Sequence, residues 1–234
     1  MQTKGIQASL IDGEKKENKS KFYGNLIKVI KPLYKTFSKK YKCEIIEREE
    51  PCIYVCRHLN MHGPLTTLKS LKFDVHPLIL SVFFDKKSSE EHFRSCTFCK
   101  NGKRNNKFSV KIKFFSFIVP KIVNSIQGGP VHRNVNPIKT LKSSITYLKK
   151  GESLIVYPDI DYKSGYNEIS DIYDGFLILS KIYKRQTGKH LKFVPLFIDE
   201  NQRKIVERGD VIIYDYEKEF LSKKQEIIDK INVL

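Results

Sequence analysis

The chain has 234 residues, of which 40% are hydrophobic and 12% aromatic, a composition typical of a globular domain with a sizeable core. Its 43 lysines and arginines exceed its 26 aspartates and glutamates, and the net charge of +17 favours nucleic acid or anionic lipid as partner, unless the lysines only cover a solvated surface. No apolar stretch approaches the roughly 20 residues of a membrane-spanning helix, and the polar N-terminus does not resemble a secretory signal, so we expect a cytoplasmic protein.

Residues 1–44 are basic and are predicted to form a helical segment that precedes an α/β domain over 45–234. Within this segment, 24–41 carries apolar residues at helical spacing with lysines on the opposite side, and Pro32 should kink or split the helix. Two interpretations stay open. The helix packs on the core with a solvated lysine face, or it lies on an anionic membrane.

The next segments are predicted to form strands at 45–50, 52–56 and 78–84, with a short helix at 65–71. The run 78–84 is continuously apolar, as in a strand buried on both faces of a parallel sheet. Residues 86–110 are polar, basic and rich in Asn, Gly and Ser, which predicts an exposed insertion or a flexible loop. Residues 111–126 are apolar but contain Pro120 and Lys121, and they are either a core helix or a segment that enters the membrane interface.

In the second half of the chain, the glycine-rich turn GGPVHRN at 128–134 precedes a helix. Asn136 is the predicted N-cap of this helix, Pro137 lies in its first turn, and Gly151 follows its end. Its predicted buried stripe is Ile138, Leu141, Ile145 and Leu148. Further strands are predicted at 154–157, 191–198 and 211–216, and further helices at 171–186 and 217–231. The alternation of strands and helices predicts an α/β fold with a mostly parallel sheet flanked by helices.

Several side chains that could act in catalysis or bind an anion lie at predicted strand ends or in adjoining turns. Arg57 and His58 follow strand 52–56, Asp159 follows strand 154–157, and Arg133 follows the glycine-rich turn. Ligands of parallel sheets bind beyond the carboxyl ends of the strands. A histidine, an arginine and a carboxylate at this edge would supply a general base, an anion ligand and a group that orients the base.

The five cysteines are an odd number in a chain without secretory features, so disulfides are not expected. Cys96 and Cys99 form a CxxC pair downstream of His92, and Cys52 and Cys56 lie elsewhere on a predicted strand. This arrangement is a weak match to the closed ligand set of a structural zinc site. We predict reduced thiols and no metal.

Four segments occur in an order that is informative as a set. They are RHLNMHGP with His58, GGPVHRN with Val131 and Arg133, LIVYPDID with Tyr157, Pro158 and Asp159, and KFVPLFID with Val194 and Pro195. In these segments and their order the chain resembles the glycerolipid acyltransferase superfamily, the PlsC-like lysophosphatidate acyltransferases. The resemblance covers roughly residues 50–200 and implies a PlsC-like acyltransferase fold.

The resemblance also implies an activity in phospholipid synthesis. His58 would take the proton of an acceptor hydroxyl, which attacks the thioester of acyl-CoA or acyl-carrier protein, and Asp159 would assist at the same site. Arg133, the backbone of Gly128 and Gly129, and Arg57 would hold the anionic head of a lysophosphatidate-like acceptor. No cofactor is expected beyond the acyl thioester. The enzyme would be peripheral on the inner face of the cell membrane, with no nucleic acid as partner.

The chain departs from the family pattern at two motifs. Gly63 stands where the family has an aspartate that orients the histidine, and Asp159 stands where it has a glutamate. We therefore expect Gly63→Asp to raise activity if the site is only weakened. Two alternatives stay open: a catalytically silent relative that binds lipid or a partner, and a basic nucleic-acid-binding protein, although no nucleic-acid motif is recognisable.

Overall fold

Strands and helices alternate along the chain in a computed structural model that describes residues 23–98, 108–132, 136–160 and 168–232. The strands are β1 (Lys42–Cys43), β2 (Cys52–Cys56), β3 (His76–Leu80), β4 (Gly129–Val131), β5 (Leu154–Val156), β6 (Lys192–Asp199) and β7 (Lys204–Glu207). The helices are α1 (Asn25–Phe37), α2 (His62–Ser70), α3 (Lys86–His92), α4 (Ser109–Ser125), α5 (Pro137–Lys149), α6 (Leu179–Thr187) and α7 (Tyr216–Ile231). The predicted α/β class is confirmed.

The strands form one mixed sheet in the order β1-β7-β6-β2-β5-β3-β4. Neighbouring strands are parallel, except that β7 runs antiparallel to β6. Strand β2 lies between β5 and β6, and all of its residues are buried. Its unbroken apolar run is what a strand covered on both faces requires. The predicted mostly parallel sheet flanked by helices is therefore present.

Alternate side chains of β2 enter two hydrophobic cores on opposite faces of the sheet. Ile53 and Val55 pack with residues of α5, α6 and α7. Tyr54 packs on the other face with residues that follow α2. Helix α1 lies on this second side, because Lys31 donates a hydrogen bond through Nζ to the carbonyl of Leu71 at 2.9 Å.

Helix α1 is shorter than the predicted 24–41 and runs through Pro32 without a break. Pro32 cannot donate a hydrogen bond to the carbonyl of Lys28, but both residues are exposed, so water can satisfy that carbonyl. Strand β1 then pairs with β7, so the end of the predicted N-terminal segment belongs to the sheet. Residues 1–22 of that segment lie outside the described residues.

Two strand predictions are wrong. Residues 45–50 form no strand, and Ile46 is 75% exposed among charged neighbours. Residues 211–216 form none either, because Ile212 makes only an isolated bridge to Phe193. The sequence reading also missed β7, a short strand with a charged residue at each end and no apolar run.

The apolar run 78–84 contributes to β3 only as far as Leu80 and continues as a 3-10 turn, Ser81–Phe84. The flexible loop predicted as one alternative for 86–110 is corrected for the described part of this segment, since α3 and a π-helical turn, Phe93–Thr97, occupy its first half. Phe93 is buried and its ring packs near that of Phe115 in α4. Charged residues on the outer face of α3 made this segment resemble a loop. Residues 99–107 lie outside the described residues.

Helix α5 begins as predicted, with the side chain of Asn136 accepting a hydrogen bond from the backbone N of Lys139 at 3.3 Å. Gly151 follows the helix with a φ of 81°, a conformation that favours glycine. Ile145 and Leu148 are buried as predicted, whereas Ile138 is 60% exposed, because the first turn of α5 lies at the surface. Helix α6 begins later than predicted, after a 3-10 turn at Gly175–Ile178.

Candidate functional site

The carboxyl ends of β2 and β5 lie side by side, because these strands pair in parallel with Val55 opposite Val156. Arg57 and His58 follow β2 directly, and Asp159 lies just beyond β5. Three of the predicted site residues therefore meet at one edge of the sheet, which we refer to as the carboxyl edge.

Asp159 joins the two strand ends. Its Oδ1 accepts a hydrogen bond from the backbone N of His58 at 3.0 Å, and its Oδ2 accepts one from Nε of Arg57 at 3.4 Å. Asp159 and Arg57 are each only 2% exposed, and a buried carboxylate requires a positive partner of this kind. Asp159 therefore acts on His58 through the backbone. A substrate could contact the guanidinium of Arg57 only if this buried ion pair opened, and the predicted binding role of Arg57 stays a prediction.

His58 is half-buried and precedes a left-handed turn. Leu59, Asn60 and Met61 have φ angles of 46°, 48° and 72°, which residues other than glycine adopt rarely. The turn brings the backbone N–H of Met61 to 3.2 Å from Nδ1 of His58. Because Nδ1 accepts this hydrogen bond, a neutral His58 carries its proton on Nε2. In this state Nε2 donates a hydrogen bond, whereas a general base must accept a proton there.

Gly63 occupies a position with no room for a side chain. A Cβ at Gly63 would lie 1.9 Å from the carbonyl oxygen of Arg57. The backbone N of Gly63 also donates to the carbonyl of His58 at 3.0 Å, which closes the loop onto itself. The expectation that Gly63→Asp restores an orienting carboxylate is therefore corrected, because this backbone cannot hold an aspartate.

Tyr157 lies beside His58, with the two rings edge to face and their centroids 6.1 Å apart. The hydroxyl of Tyr157 is 2.6 Å from Oγ1 of Thr67, so β5 is tied to α2. Burial raises the pKa of Tyr157 well above its usual value, and the phenol stays protonated at neutral pH. The ring of Tyr157 therefore forms one wall of the site, and its hydroxyl fixes that ring to α2.

The glycines of GGPVHRN serve the packing of β4. A Cβ at Gly129 would meet the side chain of Leu78 at 2.7 Å. Gly128 is buried, and its backbone N donates to the carbonyl of Val123 at 3.1 Å. Contact of these glycines with an acceptor stays a prediction. Arg133 lies outside the described residues.

A second imidazole, which the sequence analysis did not single out, lies near the carboxyl edge. His62 begins α2, and its Nε2 is 3.0 Å from Oε1 of Glu200 and 3.3 Å from the hydroxyl of Tyr41. Burial lowers the pKa of His62, while Glu200 acts in the opposite direction. Glu200 lies two residues beyond the predicted strand 191–198, and an acidic residue at that strand end was the signal that could have identified this pair.

Two of the described cysteines are packing residues of the sheet. Cys52 and Cys56 are buried in β2, and burial raises the pKa of both thiols. Cys96 is exposed, and Cys99 lies outside the described residues. Within the described part of the chain, no group of three or more His, Cys, Asp or Glu side chains could hold a metal ion.

The chain was compared with models of protein families, with characterised proteins and with solved structures, and none of them gave a significant match. Among the described helices, none is both long and apolar enough to cross a membrane.

Proposed function

We propose that the protein is an acyltransferase that moves a fatty acyl group from acyl-CoA or acyl-carrier protein to a hydroxyl of a lysophosphatidate-like acceptor. Its proposed place is peripheral, on the inner face of the cell membrane. The observation that supports the proposal most is the position of His58, an imidazole at the end of the buried strand β2, with its backbone bound to Asp159. A histidine placed in this way can meet a hydroxyl that arrives from solvent.

In the proposed reaction, Nε2 of His58 takes the proton of the acceptor hydroxyl, and the oxygen attacks the thioester carbonyl. The thiolate of the donor leaves and receives that proton. Nε2 can accept only when the proton of His58 is on Nδ1, so the N–H of Met61 must first move away from Nδ1. An oriented base contributes about 100- to 10,000-fold in rate, and part of that factor is forgone without a carboxylate at Gly63.

One observation favours a second candidate function, a silent relative that binds lipid or a protein partner at the same edge. The hydrogen bond from Met61 to Nδ1 stabilises the tautomer of His58 that cannot act as a base through Nε2. In that case His58 would donate a hydrogen bond to a bound phosphate or carbonyl oxygen.

The two functions are separated by thiol release from long-chain acyl-CoA, measured with lysophosphatidate and with a panel of other hydroxylated acceptors. We expect acceptor-dependent release by the wild type and its loss in His58→Gln. The matched control is His190→Gln, because His190 is exposed and precedes β6 at the opposite edge of the sheet. Release that persists in His58→Gln would remove His58 as the base, and no release with any acceptor would favour the silent relative.

A further inference from the structure

Helix α4 is apolar on two opposite sides. One side is buried against the protein through Ile112, Ser116, Pro120 and Val123. On the other side, Val110, Phe114 and Phe117 are 79%, 58% and 52% exposed. These three positions recur every three or four residues, so they form one stripe along the helix. The outer face of a helix on a water-soluble protein is normally polar, whereas this one combines large apolar side chains with exposed lysines.

Helix α1 has a similar outer stripe. Leu26, Val29, Leu33 and Phe37 are 39%, 69%, 58% and 83% exposed, and they again follow helical spacing. No residue of α1 is fully buried. The helix is held by its other side, through contacts such as Lys31 with Leu71. Its apolar stripe therefore does not serve the core.

The two helices are neighbours. The backbone N of Gly24 donates to the carbonyl of Ser125 at 2.7 Å, and the backbone N of Ile27 donates to Oγ of Ser125 at 3.0 Å. The start of α1 is therefore bonded to the end of α4. Both helices belong to the side of the sheet opposite α5, α6 and α7.

The charged residues of α1 and α4 are all lysines. Helix α1 contains Lys28, Lys31 and Lys35, α4 contains Lys111, Lys113 and Lys121, and neither contains an acidic residue. Helix α7, by contrast, also carries acidic residues, and its Glu226 pairs with Lys223 and Lys230. Exposed large apolar side chains beside the exposed lysines of these helices match an anionic lipid surface, where the apolar groups enter the interface and the lysines meet phosphates.

Exposed apolar residues also continue toward the candidate site. Met61, whose backbone contacts His58, is 49% exposed, and Leu65 in the first turns of α2 is 43% exposed. Helix α2 is bound to the end of α1, because Nζ of Lys69 donates to Oγ of Ser38 at 2.9 Å and to the carbonyl of Lys39 at 2.6 Å.

The geometry points to a membrane-docking surface formed by the outer stripes of α1 and α4, which inserts apolar side chains into an anionic leaflet and places the His58 loop at its rim. This inference rests on the membrane location in the proposed function and adds the surface that makes contact. It does not require acyl transfer, and its test measures lipid binding alone.

The first test is co-sedimentation with phosphatidylcholine vesicles that contain or lack phosphatidylglycerol. Wild type should bind the vesicles with phosphatidylglycerol. The variant Leu33→Ser/Phe37→Ser/Phe114→Ser/Phe117→Ser should bind them roughly tenfold or more weakly, because its insertion side chains are lost. The matched control is Leu221→Ser, because Leu221 is 76% exposed on α7. Circular dichroism should show the same fold for all three proteins.

The second test uses the absence of tryptophan from the chain. Phe37→Trp and Phe117→Trp each introduce a single fluorophore into the docking surface, and Leu221→Trp introduces one outside it. Emission from the first two should shift to shorter wavelength with phosphatidylglycerol vesicles and should be quenched by brominated lipid, with no change for Leu221→Trp.

Three results would overturn the proposal. The wild type could fail to bind vesicles with phosphatidylglycerol, or the serine variant could bind as tightly as wild type. Alternatively, the emission of the Phe37→Trp and Phe117→Trp variants could already be blue-shifted in buffer and unchanged by vesicles, which means that another part of the chain or a second copy covers the surface. Light scattering would then separate a dimer from a monomer.

Discussion

At the scale of single residues, the backbone around His58 decides which side chains the carboxyl edge can hold. The left-handed turn after His58 brings Met61 N–H to Nδ1, and the chain then returns so closely that Gly63 lies against the carbonyl of Arg57. From the family resemblance alone, Gly63 is interpreted as the loss of the aspartate that orients the histidine. The structure gives a different reason for glycine, which is the close approach of two backbone segments.

Gly63→Ala should destabilise the protein by about 1–3 kcal/mol, because its Cβ would lie 1.9 Å from the carbonyl oxygen of Arg57 and the chain must shift. Gly63→Asp should cost at least as much and should not raise activity. Urea unfolding measures both effects. The control is Gly175→Ala, where a Cβ meets nothing within 4 Å and the change should stay below about 0.5 kcal/mol. Wild-type stability of Gly63→Ala would contradict the close approach.

Asp159→Asn should destabilise the protein by about 3–5 kcal/mol, because it removes the carboxylate that faces the buried guanidinium of Arg57. Urea unfolding again measures the loss. Asp171→Asn is the matched control, since the side chain of Asp171 is 55% exposed in its pair with Lys224 and should contribute less than about 1 kcal/mol. An equal loss of unfolding free energy in the two variants would show that the buried ion pair at the carboxyl edge stabilises the protein no more than an exposed pair.

At the scale of elements, His76 connects the start of β3 to residues that precede β4, end α5 and precede β5. Its Nδ1 lies 2.7 Å from the carbonyl oxygen of Gln127, its Nε2 lies 3.0 Å from Oε2 of Glu152, and its ring stacks on Tyr147 with centroids 3.8 Å apart. Because a carbonyl only accepts, Nδ1 carries a proton, and Nε2 can donate to the carboxylate of Glu152 only when the imidazole is charged. Burial lowers the pKa of His76, although Gln127 and Glu152 act in the opposite direction.

Stability should therefore fall as the pH drops below about 6.5, the ordinary pKa of histidine. In the window between this value and the lowered pKa of folded His76, the unfolded chain binds the proton and the folded protein does not. Acid thus favours unfolding. His76→Gln should flatten the loss of unfolding free energy as the pH falls below about 6.5, with part of the slope left to His62 and His92, whose pKa values are also lowered. An unchanged slope in His76→Gln would contradict this role.

Element prediction from sequence succeeded where one pattern dominated and failed where tertiary contacts decided. Strand β2 was predictable because a strand that is buried on both faces has a continuous apolar sequence. The start of α5 was predictable because Asn136 is a residue type that caps helices. Strand β7 could not be predicted from the sequence, since it depends on pairing with β6 and β1.

The candidate site could be predicted from the sequence only in part. His58 and Asp159 were recognisable at strand ends, whereas the N–H of Met61 on His58 and the pair of His62 with Glu200 depend on the turn that folds them together.

At the scale of the whole molecule, the two sides of the sheet differ in character. Helices α5, α6 and α7 close a large core on one side. On the other side, α1 and α4 expose apolar stripes with lysines as their only charged residues. Six lysines of this strongly basic chain thus lie beside apolar surface on two adjacent helices, which supports the proposal of anionic lipid, and not nucleic acid, as the partner. Helix α2 connects the carboxyl edge to this side of the sheet, because it begins shortly after His58 and is bonded to the end of α1.

The most direct measurement is mass spectrometry of lipids extracted after the protein has been incubated with long-chain acyl-CoA and lysophosphatidate in vesicles that contain phosphatidylglycerol. The account predicts an acylated acceptor with wild type and with His190→Gln, and none above background with His58→Gln. Free fatty acid without acylated acceptor, or the same product from His58→Gln, would contradict acyl transfer by His58.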